Sequence, residues 1–98
     1  MVKEELRDII AEVNPEAKVF ENLAYDDSII GMTTDGRVVY SYYFMVQELM
    51  KDEGFTEEEA REWIDYNTIR SLPYIGDYSP VILDDDVVFL EGKLGKLV

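Results

Sequence analysis

The stretch "SIIGMTTDGRVVYS", Ser28 to Ser41, decides the fold. Two β-rich runs flank a turn that contains Asp35-Gly36, and an Asp-Gly pair favours the positive φ angles that tight hairpin turns demand. Strands are expected near 28–33 and 37–41. Working outward toward the C-terminus, Tyr42, Met45, Val46, Leu49 and Met50 fall on one face of a helix over 42–52. Gly54 stops that helix, and Thr56 with Glu59 forms a capping box that starts another. The second helix is expected to run to about Arg70 or Leu72, ahead of Pro73. "SPVIL" then reads as a third strand, and "DDDVVFLEG" as a fourth strand or an extension of the third. A loose tail is expected from about residue 92.

Outward toward the N-terminus, residues 16–27 fit a packed loop, a strand or a short helix, with Val19, Phe20, Leu23 and Tyr25 as anchors. Leu6, Ile9, Ile10 and Val13 recur at helical spacing, so residues 3–13 read as an amphipathic helix that Asn14-Pro15 ends. The expectation is a single α+β domain over 1–98: N-terminal helix, β-hairpin, two helices and one or two C-terminal strands. The sheet is expected to be small and antiparallel, with helices packed on one face.

Nine basic residues against 22 acidic ones give a net charge of −13. That charge repels phosphate backbones and anionic membrane surfaces, so neither nucleic acid nor membrane is an expected direct partner. It steers the chain toward a basic protein instead. The opening "MVKEELRDII" lacks the apolar run of a signal peptide or anchor, and no run reaches membrane-spanning length. A cytoplasmic, soluble protein is expected.

Catalytic signals are weak. The chain has no His and no Cys, which removes the usual base near neutral pH and the thiol nucleophile. The serines sit in no nucleophile elbow, and neither a GxGxxG nor a phosphate-loop pattern occurs. No catalytic residue, metal or cofactor is assigned. Asp26-Asp27 and Asp84-Asp85-Asp86 offer oxygen ligands to a hard cation, but without the alternating spacing of a calcium loop.

"EEEAREWIDYNTIRSLPY", Glu57 to Tyr74, carries the candidate sites. On a wheel of about 100° per residue, Ala60, Ile64, Asn67 and Ser71 share a face with Trp63 at its edge. That face is read as core, with Trp63 packed on the sheet and the Asn67 amide bonded to a neighbouring loop, before Ser28 or after Pro73. The alternative is a pocket formed by Trp63, Tyr66, Asn67 and Arg70, in which Arg70 stacks on an aromatic ring or pairs with an acid. On the opposite face Glu58, Glu62 and Asp65 make a stripe, flanked by Tyr66 and Ile69. Its Cβ spacing of about 5–6 Å is similar to the step between phosphates along a strand. The stripe is read as a contact surface for a basic protein.

The strings "VFENLAYDDSIIG", "DGRVVY", "EEEAREWIDYNTIRSLPY" and "SPVIL" resemble an uncharacterised family of small acidic proteins encoded by phages, prophages and gut Firmicutes. The resemblance spans about residues 13–83, and the "WIDYNTIRSLPY" block is its most specific part. It implies a phage or mobile-element setting and brings no catalytic residues. Small acidic proteins of that setting often block host defence or DNA-handling proteins, sometimes as DNA mimics. The expected function is therefore a non-enzymatic binding protein with a basic host or phage partner. A small-ligand or enzymatic domain using the aromatic pocket and a structural homodimer are the alternatives.

Overall fold

The hairpin at the centre of the chain forms as its turn residues dictate. In the computed structural model, which describes residues 3–85, strands β1 (Ile29–Met32) and β2 (Val38–Ser41) pair antiparallel, with a bulge between Ile29 and Gly31. The Gly36 N–H donates to the Thr33 carbonyl at 3.0 Å, and Thr33 N–H donates to the Arg37 carbonyl at 2.7 Å. Gly36 adopts φ 86°, and a Cβ there would lie 2.8 Å from the Asn14 Nδ2 that donates to its carbonyl. Both the dihedral and the close approach require glycine. Asn14 follows helix α1 (Lys3–Val13), so this bond ties that helix to the turn.

Helix α2 (Tyr42–Glu53) starts directly from β2, capped by Ser41, whose Oγ accepts from the Phe44 N–H at 3.1 Å. Asp85 completes the cap from across the fold. Its carboxylate accepts from Ser41 Oγ at 2.6 Å and from the Tyr43 N–H at 3.0 Å, placing negative charge at the positive end of the helix. Gly54 ends α2 in the left-handed conformation, with φ 69°. The chain returns to the sheet through a helical run and strand β3 (Val81–Leu83), which pairs with β2 in parallel. The α+β class thus holds, but the sheet is mixed rather than wholly antiparallel. Parallel pairing needs a long crossover, and the helices between β2 and β3 supply it. Arg37 secures the approach to β3 by donating to the Ser79 carbonyl at 2.8 Å. The expected fourth strand and the tail from about residue 92 run beyond the described residues.

Val38 and Tyr40 of β2 are buried with Tyr42, Met45, Val46 and Leu49 of α2. Residues 16–27 are a packed loop that enters a 3-10 helix, Leu23–Ser28, capped by Asn22. Phe20 closes this loop on the sheet: its ring lies 4.6 Å from that of Tyr40, and its N–H donates to the Tyr40 hydroxyl at 3.0 Å. Burial pushes the Tyr40 phenol up to about 12. Asp26 is buried and forked by Arg7 of α1 through two 2.8 Å bonds, and Arg7 also donates to the Phe20 carbonyl at 3.3 Å. Of the apolar face expected on α1, Ile10 is buried and Leu6 partly so, while Ile9 and Val13 are exposed.

Candidate functional site: an aromatic and acidic groove

The helical run after Thr56 changes pitch twice. Thr56 and Glu59 make the expected capping box, with the Glu59 N–H 3.1 Å from Thr56 Oγ1 and the Thr56 N–H 3.0 Å from Glu59 Oε1. The Thr56 backbone bond holds the Glu59 carboxyl below its ordinary value. Helix α3 then covers only Glu57–Trp63. Ile64–Thr68 is π-helical, with the Ile69 N–H reaching back to the Ile64 carbonyl, and Ile69–Tyr74 is a 3-10 helix that contains Pro73.

This change of pitch shifts the wheel beyond Ile64. A π turn holds more residues than an α turn, so the inward position after Ile64 passes from Asn67 to Thr68. Ala60, Ile64 and Thr68 are buried. Trp63, expected in the core, is 47% exposed, and its ring rests 5.7 Å from that of Phe55. Asn67 is exposed as well, and its Nδ2 donates to the Trp63 carbonyl at 3.2 Å rather than to another loop. That bond satisfies a carbonyl of its own helical run at the point where the pitch changes.

Trp63 and Asn67 therefore join the face assigned to contact. An open groove of 730 Å³ brings together Trp63, Tyr66, Asn67 and Arg70 with Glu62 and Asp65 of the acidic stripe. Phe55 and Glu59 complete it. Neither was a candidate, although an apolar residue just before a capping box is a known signal for packing onto the helix it precedes. Tyr66 is 68% exposed and forms the outer wall, and Arg70 stacks on it with the guanidinium carbon 4.6 Å from the ring centroid. Glu58 is exposed on the same helix but does not line the groove. Ile69 faces a neighbouring depression with Tyr42, Arg61 and Asp65.

Asp65 marks the boundary between the two hollows, where it accepts a 3.2 Å bond from the Tyr42 hydroxyl. Burial first, and then the charge of Asp65, push the Tyr42 phenol up to about 12, so it remains a donor at neutral pH. Arg61 is held by Glu57 at 2.7 Å and lies 5.7 Å from the centre of the Tyr42 ring. The two aspartate groups considered for a cation are partly committed elsewhere, Asp26 to Arg7 and Asp85 to the start of α2. The groove can offer aromatic faces and carboxylates together, a combination suited to a cation that also carries apolar surface. No helix among the described residues is long and apolar enough to cross a membrane. Comparison with protein-family models, with curated proteins and with solved structures finds no match.

Proposed function

We propose that this is a non-enzymatic binding protein whose Glu57–Tyr74 face meets a basic surface of a partner protein. The observation that carries the reading is the exposure of Trp63, Tyr66 and Ile69 beside Glu62 and Asp65. Trp and Tyr are the side chains most often found at the energetic centre of interfaces. The carboxylates around them, within a chain of net charge −13, would speed and orient encounter with a cationic surface. The resemblance to small phage-type acidic proteins adds a more specific proposal. The partner is a host defence or nucleic-acid-handling protein, and the acidic face occupies its DNA groove.

Capture from a bacterial lysate tests this, using wild type and the Glu58→Lys/Glu62→Lys/Asp65→Lys variant. Wild type should retain a basic protein at low salt and lose it as salt rises, because screening slows charge-steered association. The variant should retain none while melting as wild type does. Competing duplex DNA should release the partner if the face imitates DNA. Equal capture by both proteins, in the presence and absence of DNA, would contradict the proposal. It would favour the small-ligand reading, for which the volume of the groove is the supporting observation.

A further inference from the structure

The groove already holds a cation of its own. Arg70 lies over the Tyr66 ring with its guanidinium carbon 4.6 Å from the centroid, and among the described residues it makes no ion pair. Among the described residues the Tyr66 ring holds its guanidinium, although Glu59, Glu62 and Asp65 line the same groove. Three carboxylates against one guanidinium leave the groove with an excess of negative charge. Arg7, by contrast, is fixed by a two-pronged carboxylate bond and is not exchangeable.

We infer that the groove recognises an arginine side chain of the partner, and that Arg70 occupies the Tyr66 face until that arginine replaces it. This inference rests on the basic-partner reading and names its ligand chemistry. A planar guanidinium can stack on Trp63 or Tyr66 while its N–H groups fork to Glu62 or Glu59, and lysine cannot do both. Arg70 shows that the Tyr66 ring accepts this geometry. The exposed half of Trp63 offers a second ring in the same groove. A stacking contact at an exposed site is weak enough for an incoming arginine to displace.

The test is a titration with a blocked arginine hexapeptide and a blocked lysine hexapeptide of equal charge, followed by NMR at the Trp63 indole and the Tyr66 ring. The arginine peptide should shift both signals and bind at least about three-fold more tightly than the lysine peptide. Arg70→Ala should tighten arginine-peptide binding by roughly two- to five-fold, the range expected for removing an exposed cation–π competitor. Arg70→Lys keeps the charge but loses the planar stack, so it too should bind more tightly than wild type. Equal binding of the two peptides at the groove would overturn the arginine inference and leave the basic-partner reading standing. Tightening by Arg70→Ala but not by Arg70→Lys would reduce the effect to charge and overturn the displacement. Absence of any shift at Trp63 and Tyr66 with either peptide would remove both readings.

Discussion

Arg7 and Arg70 show how the two halves of the molecule differ. Arg7 reaches a carboxylate with no exposed surface, and its guanidinium is raised above its ordinary pKa chiefly by the hydrogen bond to Asp26. It joins α1 to the 3-10 helix at Leu23–Ser28. Arg70 lies on an exposed ring four residues back along its own helical run and joins nothing distant. The first half directs its polar groups to the fold. The Glu57–Tyr74 run turns Trp63, Tyr66 and Glu62 to solvent, where they stabilise little.

The largest effect should come from breaking the first arrangement. Arg7→Ala strands a buried carboxylate, and breaking a buried pair in this way costs about 3–5 kcal/mol. Asp26→Ala should cost less, because the Arg7 side chain is 33% exposed and can turn toward water. Urea denaturation of both variants checks the order; a larger loss for Asp26→Ala would contradict this account of the pair.

A smaller loss should appear at alkaline pH. Burial raises Tyr40 and Tyr42 to about 12, above the ordinary phenol value of about 10. The folded state therefore holds these protons more tightly than the unfolded state. Their contribution is fully present below about pH 10 and is lost as pH rises toward 12. Denaturation midpoints measured from pH 8 to 12 should fall in that window. A flat profile would show that both hydroxyls reach water.

The smallest effect belongs to the second half. A buried Trp replaced by Ala loses about 3–5 kcal/mol, but Trp63 is half in solvent, with its ring 5.7 Å from that of Phe55, so Trp63→Ala should cost only about 1 kcal/mol. For a domain of this size that is a fall in Tm of roughly 4–8 °C. A loss as large as that of Arg7→Ala would return Trp63 to the core and erase the contrast between the halves.

The residues that announced themselves in the sequence were those whose signals act locally. Asp35-Gly36, Gly54 and the Thr56/Glu59 box each mark a boundary through the chemistry of a few adjacent groups, and each boundary is where they place it. What was not legible depended on distance or on pitch. The partners of Asp26 and Asp85 lie far along the chain, at Arg7 and at the start of α2, so no local signal points to them. The direction of β3 depends on where a long crossover ends. The placing of Asn67 failed because the pitch is not constant, whereas Trp63 precedes the wider turn and sits at the edge of the inward face of α3. The wheel assumed constant pitch, and no residue in "IDYNT" announces that the helix widens there. The same block carries the aromatic and polar string, and the wider turn leaves its Asn67 facing outward.

The Glu57–Tyr74 face is open, and the proposal is that it receives a cationic partner. Trp63 is the only tryptophan, so its fluorescence reports on that face. The decisive measurement is acrylamide quenching of the folded protein, first free and then with the arginine hexapeptide. The account predicts ready quenching in the free protein and protection once the peptide is bound. A Trp63 shielded from acrylamide in the free protein, or one equally quenched with and without the peptide, would contradict it.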